Sequence, residues 1–291
     1  MAVSIHVNPE ILQRKYSLIA LDLDGTLLRS DKSISEATKK ALIAAKDQGY
    51  TIVIATGRHP KSAVRYLDEI GCLNEKSCAI CFNGGAEIST QAYIDAHDEV
   101  NFPVLHAEYG SALDVMAMAK FAHSMGCKLH AYSRDRGLVI EDQNPYTQRE
   151  IDHGQVGFLK TDFENLDKNE RFFKFLVVGE DNLLDKVRAN IPDFIHERFE
   201  VMRSDPSYLE FIPGPSTKGS ALKALCQTLN IPISEAVAFG DAENDIAMLK
   251  TAGLGVAMGN AASYVKDEAD IVTLTNDEDG IAAVVLKLLN R

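Results

Sequence analysis

Asp22-Leu23-Asp24-Gly25-Thr26 places two carboxylates two residues apart, directly after the apolar run Ser17–Leu21. If the chain leaves a sheet after the first acid, the pair can divide labour. Asp22 can attack phosphorus as a nucleophile. Asp24 can protonate the leaving oxygen and later take a proton from water. Gly25 allows a sharp turn whose exposed amides can hold phosphate oxygens. An acidic turn that merely closes a strand would read the same way locally.

Gly240-Asp241-Ala242-Glu243-Asn244-Asp245 is a second acidic cluster. Mg²⁺ takes oxygen ligands, one or two of them carboxylates, and keeps room for phosphate and water. Asp22, the backbone carbonyl of Asp24, and Asp241 make such a set, with Asp245 orienting the ligands from behind. A solvated helix N-terminus also favours Asp and Asn. Thr56 offers a hydroxyl donor and Lys218 a point charge for a phosphoryl group. Arg58 can hold a second anionic group of a substrate, or simply pair with an acid. Gly214-Pro-Ser-Thr-Lys218-Gly219 lacks the spacing of a phosphate-binding P-loop.

Positioning these residues requires a particular scaffold. Asp22 follows SLIAL, Thr56 follows TIVIA and Asp241 lies just past EAVAF. Short β-rich runs without alternation suit strands buried on both faces of a parallel sheet. Ligands of such sheets bind beyond the strands' carboxyl ends. Helical patterns intervene. One is capped by Ser35 and stops at Gly49; another runs from Pro60 to Gly71. A third runs from about Thr217 to Leu229, and a fourth from Asn244 to about Gly253. The alternation predicts an α/β fold. From Asn83-Gly84-Gly85 to about Ser207 the pattern changes to strand-like runs (KLHAYS, GLVIE, RFFKFLVVG) and amphipathic helices near 107–125 and 182–190. This reads as an α+β module inserted through an exposed Gly-rich turn. The expected organisation is a Rossmann-like parallel-sheet core over 1–85 and 208–291, with an inserted cap over 86–207.

The chain's 291 residues, 46% hydrophobic and 25% charged, suit an ordinary globular protein. A formal charge of -12 disfavours nucleic acid and anionic membrane as partners. No apolar stretch approaches the roughly 20 residues of a membrane span. The N-terminal MAVSIHVNPEILQRKYS does not read as a secretory signal, so a cytoplasmic location is expected. The five cysteines are scattered. Cys78 and Cys81, three apart on an expected strand, should point to opposite faces and form no zinc site.

With these motifs in this order, the sequence resembles the haloacid dehalogenase superfamily of phosphatases. The matches are Asp22-Leu-Asp24-Gly-Thr26, Thr56 in ATGR, Lys218, and Gly240-Asp241-Ala-Glu-Asn244-Asp245. The insertion after Asn83-Gly84-Gly85 resembles the C2-type cap of the Cof-like subfamily. The resemblance implies Asp22 as nucleophile and Asp24 as general acid/base. It implies Thr56, Gly57, Lys218 and Asn244 as phosphate-binding residues. It implies Mg²⁺ held by Asp22, Asp24 and Asp241 and supported by Asp245. The implied substrate is a small phosphate ester, a sugar phosphate first, with nucleotides, flavin mononucleotide and pyridoxal phosphate as alternatives. A phosphomutase and a signalling phosphoacceptor are rival readings. Family members often carry Asn-Gly-Ala where this chain has Asn83-Gly84-Gly85, and the extra glycine suggests a looser hinge. In the cap, His130, Tyr132, Arg134, Arg136, His153 and Arg203 are candidates for contacting the substrate. His59 adjoins the same cleft. Oligomeric state is not legible.

Overall fold

The computed structural model describes residues 9–96, 102–154 and 156–290. Residues 1–8, part of the stretch read as lacking a secretory signal, lie outside the described residues. In chain order the strands are β1 (Leu18–Leu21), β2 (Thr51–Ala55), β3 (Cys78–Cys81), β4 (Ala86–Ser89) and β5 (Val104–His106). Then come β6 (Gly110–Ser111), β7 (Lys128–Ser133), β8 (Gly137–Ile140) and β9 (Phe158–Lys160). They are followed by β10 (Arg171–Val178), β11 (Phe199–Asp205) and β12 (Tyr208–Pro213). The chain closes with β13 (Ala236–Gly240), β14 (Leu254–Ala257) and β15 (Ile271–Val272).

An eight-stranded sheet has the order β15-β14-β13-β1-β2-β3-β4-β5. It is parallel from β15 to β3, and its last two pairings are antiparallel. The register sets Leu21 beside both Phe239 and Ile54, so β1, β13 and β2 end level with one another. Asp22, Gly240 and Thr56 therefore emerge at one edge. The three strands are buried throughout, as their unalternating apolar runs require. The helix Glu36–Asp47 starts where the Ser35 hydroxyl accepts from the Thr38 N–H at 3.0 Å. It buries Ala41, Leu42 and Ala45 against the sheet's apolar cluster. Cys78 and Cys81 join different apolar clusters, as a period of two dictates, and neither is bridged.

The second sheet has seven strands in the order β11-β12-β10-β7-β8-β9, with β6 added alongside β10. The helix Ala112–Ser124 buries Val115, Met118 and Ala122 in one apolar cluster with Phe175, Val177 and Phe211 of this sheet. Leu184 and Val187 of the helix Asp181–Ala189 join the same cluster. Residues on the other face, including Tyr132 and Leu176, belong instead to the core's cluster, and so does Phe173, because the register shifts between Phe172 and Lys174. An aromatic stack joins the two units there: Phe173 lies 5.1 Å from Phe82 and 5.7 Å from Phe102, ring to ring.

The expected boundaries at 85/86 and 207/208 need correction. Ala86–Ser89 and Val104–His106 form β4 and β5 of the first sheet, β4 turning straight back against β3 with Cys81 facing Ala86. Residues 208–213 form β12, which pairs with β11 and β10 in the second sheet. The Asn83-Gly84-Gly85 turn is buried, not exposed. Gly85 is not loose either: a Cβ there would sit 3.0 Å from the Phe173 carbonyl oxygen.

Candidate active site

Asp22 leaves β1 with 7% of its surface exposed, and Lys218 meets it from the first turn of the helix Lys218–Thr228. Thr217 caps that helix, its hydroxyl accepting from the Ser220 N–H at 3.1 Å. Lys218 Nζ donates to Asp22 Oδ1 at 2.6 Å and to Asp245 Oδ1 at 2.7 Å. The other oxygen of Asp245 accepts the N–H groups of Asp241 and Ala242 at 3.0 and 3.1 Å. It thereby fixes the loop that leaves β13. Thr26 Oγ1 donates to Asp241 Oδ1 at 2.8 Å, tying the turn after β1 to that loop. Gly25 is required twice over: its φ is +82°, and a Cβ would lie 2.3 Å from Asp241 Oδ2.

Oxygens of Asp22, Asp241 and Asp245 lie within 4.8 Å of one another. Burial and the neighbouring Asp245 push the Asp22 carboxyl well up, only partly offset by Lys218. Burial, then Asp245, pushes Asp241 up to about 6 against the Thr26 hydrogen bond. Burial alone would lower the Lys218 ammonium, but Asp22 and Asp245 outweigh it and raise it. Crowded, buried carboxylates with hard oxygen donors fit a divalent cation of the Mg²⁺ kind.

Asp24 stands in different surroundings. Arg58 grips it twice, Nε to Oδ2 at 2.9 Å and Nη2 to Oδ1 at 2.6 Å, and Lys32 adds a contact of 2.9 Å. Burial would raise its carboxyl, but Arg58 and Lys32 prevail and hold it below the ordinary range. Arg58 thus pairs with an acid of the site itself. Thr56 is buried, and its hydroxyl accepts from the Arg58 N–H at 3.2 Å. The Gly57 carbonyl accepts from Lys174 Nζ at 3.1 Å, and Asn244 Nδ2 donates to Asn83 Oδ1 at 2.9 Å.

Asp22, Asp24, Thr56, Gly57 and Asn244 all line one cavity of about 700 Å³, roofed by the second sheet. Lys218, Asp241 and Asp245 reach the same point through their contacts with Asp22 and with one another. Of the cap candidates, Arg203 lines the cavity. Tyr132 stands behind the wall, donating to Glu150 Oε1 at 2.7 Å. Arg134 is not part of the lining, its guanidinium 3.7 Å from Asp135. Arg136 is committed to Glu170, and His130 is buried against Asn144, its imidazole pushed down by burial to about 4. The side chain of His153 lies outside the described residues. His59 is buried with its Nδ1 accepting from the Lys61 N–H, and burial pushes it down to about 3. Lys174 and Glu210 were not singled out from sequence, yet both line the cavity while almost fully buried. The available signal was a lone charge inside an apolar strand, in RFFKFLVV and in YLEFIP.

A parallel sheet with buried acids beyond its strand ends, roofed by a second sheet, is the scaffold of a phosphoryl-handling hydrolase. The chain matches the family model described as haloacid dehalogenase-like hydrolase over residues 19–285, and it belongs to that family as a phosphatase. It is 31% identical to the 5-amino-6-(5-phospho-D-ribitylamino)uracil phosphatase YcsE of Bacillus subtilis, covering 92% of this chain and 94% of that protein. A solved haloacid dehalogenase-like hydrolase from Bacteroides thetaiotaomicron is 32% identical, with a TM-score of 0.80 over 94% of this chain and 99% of that one. The subclass IIB sugar phosphatase BT4131 is 27% identical, with a TM-score of 0.75 over 92% and 97%.

Proposed function

We propose that this phosphatase is a Mg²⁺-dependent, cytoplasmic enzyme that releases phosphate from small phosphorylated metabolites, sugar phosphates foremost, by way of a phosphoryl group on Asp22. The carrying observation is Asp22 at the cavity floor, one oxygen held at 2.6 Å by Lys218. The other oxygen is the nucleophile. It forms the bond to phosphorus as the bond to the leaving oxygen breaks, and Asp24 supplies that oxygen with a proton. Water then attacks the aspartyl-phosphate while Asp24 takes the proton back. The carboxylate form favoured by Arg58 and Lys32 suits this second half; the first half needs a protonated Asp24, so these contacts must loosen as the ester enters. Thr56, the Gly57 loop, Lys218 and Asn244 hold the phosphoryl oxygens. Asp22, Asp24 through its carbonyl, and Asp241 would hold Mg²⁺, with Asp245 supporting them; the ion would offset the developing charge. Five free, buried cysteines accord with a reducing compartment.

The roof supports an uncharged, hydroxylated leaving group. Arg149 pairs with Asp205, Arg203 with Asp181 at 2.5 Å, and Lys174 with Glu210 at 3.2 Å. The cationic lining residues Lys32 and Arg58 are taken by Asp24. Each cation of the described lining already faces an acid, although Arg203 Nη1 has no hydrogen-bond partner, while the Glu200 carboxylate and the Ser204 and Tyr208 oxygens offer acceptors to sugar hydroxyls. The relatives' named substrates, a sugar phosphate and a ribitylamino phosphate, agree with such a body.

The test is phosphate release from a panel of hexose, pentose and polyol monophosphates, sugar bisphosphates, nucleoside monophosphates, flavin mononucleotide and pyridoxal phosphate, with Mg²⁺ or with chelator. The expected result is Mg²⁺-dependent release, fastest from uncharged monophosphates. Fastest release from bisphosphates would overturn the substrate reading. Isomerised ester without released phosphate would make the protein a phosphomutase.

A further inference from the structure

We infer that Glu210, from the roof, sets which way the Asn244 amide points at the phosphoryl site, acting through Asn83. The inference rests on the phosphatase reading above. Glu210 lies on β12, diagonal to Lys174 on β10, since Glu210 faces Leu176 in the register. Both side chains are buried, and Lys174 Nζ stands 3.2 Å from Glu210 Oε2. That same oxygen accepts from Asn83 Nδ2 at 2.9 Å, while Oε1 accepts from the Ser204 hydroxyl at 2.6 Å. Asn83 Oδ1 in turn accepts from Asn244 Nδ2 at 2.9 Å.

Donor and acceptor logic makes this series directional. A carboxylate beside an ammonium only accepts, so Asn83 must turn its NH₂ towards Glu210. Its carbonyl must then face Asn244, which can answer only with its own NH₂. That group has two N–H bonds; one is spent on Asn83, and the second is free for a phosphoryl oxygen in the cavity that Asn83, Glu210 and Asn244 all line. Without Glu210, either amide can flip, and Asn244 can present a carbonyl oxygen to an anion. Asn83 is well fixed for the task. Its backbone is left-handed, φ 58°, as Asn tolerates. Its amide nitrogen would lie only 2.8 Å from a Cβ at Gly57, so it fills the space that a side chain there would take. Glu210 and Lys174 belong to the roof, and Asn83, Gly57 and Asn244 to the core. The phosphoryl site is therefore completed only when the roof is docked.

The experiment is a double-mutant cycle read by inhibition constants for inorganic phosphate during turnover of a phosphate ester. Removing Glu210 alone would strand a buried ammonium, so it is replaced together with its partner as Lys174→Met/Glu210→Leu, a change that buried ion pairs often tolerate. This pair variant, Asn83→Leu and Asn244→Ala should each weaken phosphate on the order of tenfold to a hundredfold, the scale of a hydrogen bond to a charged group. Combining Asn83→Leu with Asn244→Ala should weaken phosphate no further; the pair variant also loses the Lys174 contact to the Gly57 carbonyl and is not used for this comparison. Additive effects in the combined variant, or wild-type phosphate inhibition in the pair variant, would overturn the inference while leaving the phosphatase reading intact. A wild-type enzyme that neither hydrolyses the ester nor binds phosphate would overturn both.

Discussion

Asp22 and Asp24 stand two residues apart, yet their surroundings push their carboxyls in opposite directions. Burial and Asp245 raise Asp22, whereas Arg58 and Lys32 hold Asp24 low. Environments that separate like groups are the mark of divided roles. Asp22→Asn should abolish phosphate release, because an amide is a poor nucleophile; steady-state assays showing substantial residual turnover would remove Asp22 from that role. Lys218→Met keeps most of the buried volume but deletes the charge between Asp22 and Asp245. It should lower kcat by about 10²–10³-fold, or about 2.7–4 kcal/mol of barrier, at saturating Mg²⁺. Asp22 and Asp24 were legible because they sit where an apolar run stops, and Lys218 only as one member of an ordered set. Lys174 and Glu210 were not, since a lone charge in a strand has meaning only once its partner on another strand is known.

At the scale of elements, the ends of β1, β2 and β13 were legible, but which sheet a strand joins was not. Nothing in AEIS or YLEFIP names its neighbour; β4 and β12 are assigned by the strands they fold back upon. β4 also carries Glu87, 1% exposed, whose carboxyl burial pushes up to about 8. The folded state then binds a proton that the unfolded state releases near its ordinary value of 4.5. Stability from this residue is complete below that value and declines as pH rises through about 8. Urea midpoints should therefore show wild type losing ground to Glu87→Gln between acid and mildly alkaline buffer, and a pH-independent difference would contradict this. Gly25→Ala belongs to the same scale. Its positive φ and the close Asp241 carboxylate should together make the variant unable to keep that loop in place, seen as weakened Mg²⁺ activation.

The whole molecule carries a formal charge of -12, yet it gathers cations around one cavity. Its three clustered aspartates should make stability depend on Mg²⁺. At free ion a hundredfold above Kd, binding to the folded state adds about 2.7 kcal/mol, read as a rise in thermal midpoint. Asp241→Asn should lose most of that rise. Among the described residues no helix is long and apolar enough to cross a membrane. The two-unit plan was legible from the change of pattern along the chain, but the docking of the roof was not, because the aromatic contacts joining Phe82 and Phe102 to Phe173 link distant segments. The most direct test of the account is to acid-quench the enzyme during turnover with Mg²⁺ and weigh its peptides. The account predicts one added phosphoryl group on the peptide carrying Asp22, absent from Asp22→Asn; rapid turnover with that peptide unmodified throughout would contradict it.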